Sequence, residues 1–581
     1  MPFFENAHSS DLRNSNLTDI QTQNNYQINN YSTEDRALAT LKPALRAEYD
    51  VPRCMEGTRE NVLKEIDAWL DDPGAHILAV RWMRVLSRLY LGTTCNIMWI
   101  SGSPGAGKSA IASTLVSNLS RQRRLGSFYF FKRGDAVLSD PATLWRTVAS
   151  DLAQYDPGVK DGVLEFLSRP GFRDADIVLH FECMIKDTLT KNYDNLSSTP
   201  PIFVIDALDE CGSDDSQSAQ RRILLDTLAR WPLLPRSFKL VVTSRNERLP
   251  SLFYDQRVCR RIVLETGDSV NLETYQDIQI FFEKSFNIIR PGIGMESTWP
   301  GNPAIDRLTQ RAAGLFIWAK TAIAFMEEKR GKPADKLKLI LAGDLGPRSD
   351  NIDTLYRQIL KFYFNDVDDI TFELFKAVVG TIIIAKAPLH RDDLLPFLGR
   401  LDDEDARQFG IILHSLSSVV DFDGLLRLRH LSFADFLTNP KRCLDPRFII
   451  DLNELHHNLA LRCLQVMKTE LKFNICGLET SYIRNDDVVD LSERIAARVS
   501  TRLQYSCRFW AAHLCDTRLE QNYCDVLLKE ARGLFHIRLL YWLEVMSLIK
   551  EVPASLMAVL TVAQSQEIKV TILVLQCVLF R

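Results

Sequence analysis

The chain has 581 residues, 46% hydrophobic and 25% charged, with a formal net charge of −4. That length exceeds what one hydrophobic core supports, so several folded units are expected, and the composition excludes a wholly disordered or fibrous chain. The slight negative charge supplies no basic field, so neither nucleic acid nor an anionic membrane surface is expected as a main partner.

Residues 1–36 are rich in Asn, Gln, Ser and Thr, as in "QTQNNYQINNY" at 21–31, and carry too little apolar material for a core. A disordered polar tail is predicted. Asn and Gln ladders favour cross-β pairing, which leaves self-pairing of the tail open beside a plain linker. No signal-like start is present and no run reaches the roughly 18 apolar residues of a bilayer span, so a cytoplasmic protein without a membrane span is expected. Twelve cysteines form no C-x-x-C pair, which predicts reduced thiols rather than zinc sites or a disulfide framework.

A helical lead-in covers 37–95. In it "NVLKEIDAWL" sets Val62, Leu63, Ile66, Trp69 and Leu70 at helical spacing, and Pro73-Gly74 ends the helix. Five apolar runs follow, "NIMWI", "SFYFF", "PIFVID", "FKLVVT" and "RRIVLE", separated by helical or loop-like sequence. They predict a three-layer α/β domain over 96–270, with a five-stranded parallel sheet covered on both faces. Strands then almost vanish. A helical domain is expected over 271–350, with "LFIWAKTAIAFMEE" as an example, and "TLYRQILKFYF" continues the pattern. In "SVVDFDGLLRLRHLSF" two apolar runs flank Asp423-Gly424, a hairpin turn amid helices, which predicts a winged-helix domain within 351–445. Residues 446–581 read as helical with no repeat of 20 to 50 residues, and "VTILVLQCVLF" at 570–580 reads as part of a core or of a unit cut short.

The most informative stretch is Gly102, Ser103, Pro104, Gly105, Ala106, Gly107, Lys108, Ser109, a complete G-x-x-x-x-G-K-S between a predicted strand and a predicted helix. Glycines let successive N–H groups turn inward toward phosphate oxygens, and the following helix adds its positive end. Lys108 is then placed for the β and γ phosphates and the Ser109 hydroxyl for magnesium, so ATP or ADP with Mg2+ is the expected cofactor set. A carboxylate at a strand end must hold the hydrated metal. Asp206 closes the apolar run of "PIFVIDALDECG", and Asp209 and Glu210 just beyond it are placed to polarise the attacking water or merely to cap a helix. In "VVTSRNE", Thr243, Ser244 and Arg245 reach the carboxyl edge of the sheet, where Arg245 either senses the γ phosphate or is an ordinary surface arginine.

These motifs, with "FYFFKRGD", "AAGLFIWAKTA", "LYRQIL", "HLSFADFL" and "YWLEVMSLIKEV", resemble the NACHT group of signal-transducing STAND ATPases. More narrowly, the chain resembles their large fungal members, whose nucleotide-binding module is described as nephrocystin-like. The resemblance implies a switch: closed with ADP, opening on a ligand, exchanging to ATP and self-associating, with fungal self/non-self recognition and cell death as the setting. It also implies that Asp209 and Glu210 support hydrolysis, that Arg245 is the sensor, and that "RCMEGTRE" at 53–60 contacts the base. The chain departs from the pattern in showing no repeat array and no N-terminal signalling domain, and in having Gly314-Leu315-Phe316 where relatives have Gly-x-Pro. Strand alternation places Leu426, Leu428 and His430 on one inward face. A core histidine bonded to a backbone carbonyl is one reading. The other, implied by the resemblance, is a donor to the β phosphate of ADP. Two functional alternatives stay open beside the switch: a fast P-loop motor or kinase, and a nucleotide-binding scaffold without hydrolysis.

Overall fold

The structure, a computed structural model, describes residues 33–44, 51–72, 95–342, 351–552, except 136, 170–175, 194–198, 213–217, 247–250, 256–257, 366, 400–402, 423, 481 and 518–520. Most of the predicted tail and the run at 570–580 lie outside these residues. The tail expected over 1–36 overlaps helix α1 (Thr33–Ala39), which already begins at 33. Glu34 and Asp35 sit in its first turn, where the helix dipole favours acids, and Glu34 pairs with Lys160 at 2.6 Å.

The predicted lead-in helix is α2 (Glu60–Asp71) and buries Ile66, Trp69 and Leu70. Lys239 caps its last turn, donating to Leu70 O and Asp72 O, with its ammonium 5.0 Å from the Trp69 ring centroid. The five apolar runs become β1 (Ile97–Gly102), β2 (Leu125–Phe130), β3 (Ile202–Asp206), β4 (Leu240–Ser244) and β5 (Cys259–Leu264). They form one parallel sheet in the order β2-β3-β4-β1-β5. Trp99 lies level with Val242, and Ile205 with Val242, so β1, β3 and β4 end together at one edge. Alternate side chains feed two cores. Trp99, Phe203 and Val242 join Trp145, Phe181 and Trp231 on one face, while Met98, Ile100, Val204 and Val241 meet α2 and α3 (Lys108–Arg121) on the other. Cover on both faces holds for β1, β3 and β4, whose residues are all buried. β5 departs from it: an edge strand with a sheet neighbour on one side only, it leaves Arg260, Arg261 and Val263 exposed.

Past residue 270 come α4 (Leu272–Ile289), α5 (Asn302–Ala312), α6 (Phe316–Glu327), α7 (Asn351–Phe364) and α8 (Asp369–Ile384). The expected hairpin is present as β7 (Val420–Asp421) and β8 (Leu425–Leu428), with Gly424 at φ 88° in its turn. A two-residue strand that the sequence does not announce, β6 (Leu389–His390), pairs with β8 from the other side. Helices α9 (Arg391–Phe397) and α10 (Asp403–Ser415) lie between β6 and β7, and α11 (Leu431–Leu437) follows β8. The chain continues through α12 (Leu452–Glu470), α13 (Thr501–Asp516) and α14 (Gln521–Leu548), and one apolar core runs from Ile278 to Leu548. Among the described residues no helix is long and apolar enough to cross a membrane.

Candidate functional site

β1 delivers Gly102 to the sheet edge, and the chain then turns through Gly105 at φ 81° and Gly107 at φ 96° into α3. Both are left-handed conformations that favour glycine. Gly105 has a second reason to lack a side chain, because a Cβ there would lie 2.0 Å from Ile317 Cγ2. The first turn of α6 closes over the loop at that point, with Ile317 N donating to Gly105 O at 3.1 Å. Ser103 Oγ bonds Thr266 Oγ1 at 2.9 Å, Ala106 is fully buried and Pro104 is half-buried. Gly107 caps α3 without a side chain, so the first N–H groups of the helix lack intrahelical acceptors and face outward with the positive end of its dipole. Lys108 Nζ folds back to Gly102 O at 2.7 Å and Ser103 O at 2.9 Å. Burial pulls its pKa down, while Asp209 and Asp206 favour the charged form.

Asp206 is 2% exposed at the end of β3. Its carboxylate accepts from Thr243 Oγ1 at 2.5 Å and from the Ser109 hydroxyl, and Thr243 Oγ1 in turn accepts from Ala207 N at 3.0 Å. Burial raises the Asp206 pKa against those hydrogen bonds. Ala207, at φ 54°, turns the chain into the short helical turn Leu208–Glu210, which sends two more acids past the sheet edge. Asp209 accepts from Arg245 N at 3.0 Å and pairs with Arg245 Nε at 3.1 Å. Glu210 Oε2 accepts from Arg133 N at 2.9 Å, and burial pushes its pKa up to about 7. A serine hydroxyl beside a buried strand-end carboxylate is a hard-oxygen donor set that fits magnesium, with Ser109 and Asp206 as its holders.

The unit built on the three-stranded sheet reaches the same place. From α11, Asp435 lies 3.8 Å from Arg245 Nη2 and 3.6 Å from Arg133 Nη1. His430 is not a continuation of the β8 alternation. The strand ends at Leu428, and His430 N-caps α11, its Nδ1 accepting from Ser432 N at 3.1 Å and lying 2.7 Å from Ser432 Oγ. Its partner is therefore a helix N–H and a hydroxyl rather than a backbone carbonyl. With Nδ1 an acceptor, the neutral ring carries its proton on Nε2. Burial, with the charges of Lys108, Arg245 and Lys320, holds its pKa down at about 3.

All the residues singled out in the sequence thus gather around one loop. Three further contributors lie inside quoted stretches, Arg59 in "RCMEGTRE", but nothing in the sequence announces the contacts they make. Arg133 and Asp435 sit inside the stretches "FYFFKRGD" and "HLSFADFL" without any spacing that announces their pairing. Arg59 turns its guanidinium onto the loop itself, donating from Nη2 to Ala106 O at 2.9 Å. Phe316 supports that guanidinium, with its ring centroid 5.0 Å away.

Residues 86–245 match the family described as nephrocystin 3, N-terminal. The chain is 23% identical over 501 residues to the vegetative incompatibility protein HET-E-1 of Podospora anserina, covering 81% of this chain and 34% of that protein. It therefore spans about a third of that relative's length. Among solved structures it is similar to a Signal Transduction ATPase with Numerous Domains carrying a tetratricopeptide repeat sensor, from Pyrococcus horikoshii, at TM-score 0.38 and 11% identity over 84% of this chain and 57% of that one. It is also similar to the ORC2 protein of Aeropyrum pernix in its ADP form, at TM-score 0.29 and 12% identity over 68% of this chain and 93% of that one. Residues 86–245 thus match the nephrocystin 3 N-terminal module, and the chain around it is similar to a fungal vegetative incompatibility protein.

Proposed function

We propose that the chain is an ATP/ADP switch: a slow NTPase whose nucleotide controls whether a winged-helix unit stays docked on the P-loop. The carrying observation is the meeting of two distant parts of the sequence: Asp435 of α11 pairs with Arg245 and Arg133, and His430 at the N-cap of α11 lies within the electrostatic reach of Lys108 and Arg245. In this reading 96–270 is the NTPase domain, 271–350 a helical domain, 351–445 the winged-helix domain and 446–581 a helical region, after a polar tail (1–36) and a lead-in (37–95). Phosphates sit on the loop from Gly102 to Ser109, with the Lys108 ammonium exchanging its loop carbonyls for phosphate oxygens. Magnesium, held by Ser109 and Asp206, supplies charge neutralisation at those oxygens. Glu210, with a pKa of about 7, is suited to accept the proton of the attacking water. Asp209 holds Arg245, which must leave Asp435 to meet a γ phosphate.

The closed state is the ADP state, with the His430 Nε2 proton directed at the β phosphate. ATP favours release of α11 and self-association, because a ligand shifts a two-state equilibrium by its differential affinity for the two states. The incompatibility named for the Podospora relative is the biological setting that fits, in the cytoplasm. Single-turnover ATPase measurement together with sizing in ADP and in ATP tests the reading. A slow rate with a larger species only in ATP is expected; turnover of roughly 1 to 100 per second without a change in size would instead mark a kinase-like enzyme.

A further inference from the structure

Arg59 is 4% exposed, and its backbone takes the left-handed conformation at φ 58° just before α2. Its guanidinium draws four elements together. Nη2 donates to Ala106 O at 2.9 Å, Nη1 donates to Thr274 Oγ1 at 2.9 Å and lies 3.8 Å from Asp277 Oδ2, and the plane rests 5.0 Å from the Phe316 ring centroid. A planar fork of fixed donors suits this task, since it can hold a carbonyl and a hydroxyl at once while stacking on an aromatic face.

The bond to Ala106 matters because of the peptide that follows. That unit is planar and trans, so the Ala106 C=O and the Gly107 N–H point in opposite directions. Anchoring the carbonyl on the Arg59 side turns the Gly107 N–H to the other side, at the mouth of α3. Gly107, at φ 96° and without a side chain, has little else to hold that peptide in place. We propose that Arg59 is a positioning residue for phosphate: it does not touch the nucleotide, but sets the direction of the Gly107 N–H. The inference rests on the nucleotide-binding reading above. It also makes the cradle depend on α4 and α6, because Thr274, Asp277 and Phe316 hold the same guanidinium.

The test uses the full chain, isothermal titration with ADP and with inorganic pyrophosphate, and thermal melting without ligand. Arg59→Met keeps the stem over Phe316 and removes every donor. Loss of one well-directed hydrogen bond to a charged group should weaken ADP and pyrophosphate by the same factor, about tenfold to hundredfold. Arg59→Lys should recover part of the loss. Thr274→Val, which removes only the second anchor, should weaken both probes by about threefold at an unchanged melting temperature. A loss for ADP with pyrophosphate unaffected would place Arg59 on the nucleoside and overturn the proposal. Unchanged affinities with a lowered melting temperature would leave Arg59 a packing residue. If Arg59→Met does not fold, unchanged affinities in Thr274→Val and Arg59→Lys overturn the proposal equally. Failure of the unaltered chain to bind either probe would instead defeat the nucleotide-binding reading itself.

Discussion

His430→Leu separates two roles that fall to one ring. The side chain caps α11 through Nδ1, which accepts from Ser432 N, and in the proposed closed state presents Nε2–H to the β phosphate. Losing an N-cap acceptor costs about 1 kcal/mol of stability, a lowering of the melting temperature by a few degrees at most. Losing a donor to a charged group costs about 1.5 to 3 kcal/mol, so ADP should leave about 10-fold to 100-fold faster while ATP affinity hardly changes. His430→Asn sharpens the test, because asparagine is a strong N-cap but too short to reach past the cap. It should restore the melting temperature and leave ADP release fast. Release of a fluorescent ADP analogue by stopped flow, beside melting curves, measures both. If Asn restores ADP retention as well, or if Leu lowers stability without changing release, His430 is only a cap. The ring also ties stability to pH. With its pKa held at about 3 in the folded state against 6.5, His430 contributes stability that is complete above pH 6.5 and is lost as the pH falls toward 3.

Lys108→Ala should nearly abolish ADP and ATP binding by titration while melting stays close to native, since the hydrogen bonds of Lys108 Nζ among the described residues go to its own loop; retained affinity would remove the phosphate assignment. Glu210→Gln should leave nucleotide binding intact and slow hydrolysis, and the native rate should rise as the pH passes about 7. Because the folded pKa of Glu210 lies above its ordinary 4.5, this carboxyl costs stability increasingly from pH 4.5 upward. The Gln variant should therefore be more stable than native at pH 8, by about 3 kcal/mol, and equally stable at pH 4; a pH-independent difference would contradict the assigned shift. Asp435→Ala cuts half-exposed pairs with Arg245 and Arg133, each contributing about 0.2 to 1 kcal/mol. It should speed ADP release by roughly twofold to thirtyfold and promote self-association in sedimentation, an effect that high salt reproduces in the native chain.

The parts of this protein that are legible in the sequence are those encoded over a few adjacent residues. Glycine spacing in 102–109 reports a local backbone conformation, and Gly105 and Gly107 indeed take positive φ. Continuous apolar runs report strands, and all five runs appear as strands, although β5 at the sheet edge is buried only in part. Asp423-Gly424 reports a hairpin whose partners are only a few residues apart. The failures share a cause as well. β6 is two residues long and exists only because β8 lies beside it, and His430 escapes the strand alternation because a helix begins at the next residue. The strand order β2-β3-β4-β1-β5, the pairing of Asp435 with Arg133 and Arg245, and the grip of Arg59 on Ala106, Thr274 and Phe316 were decided by the tertiary structure alone. Local sequence specifies backbone torsions and the faces that must be buried, but a hydrogen bond or ion pair between residues far apart in the chain depends on how those faces pack, and no spacing along the chain records it.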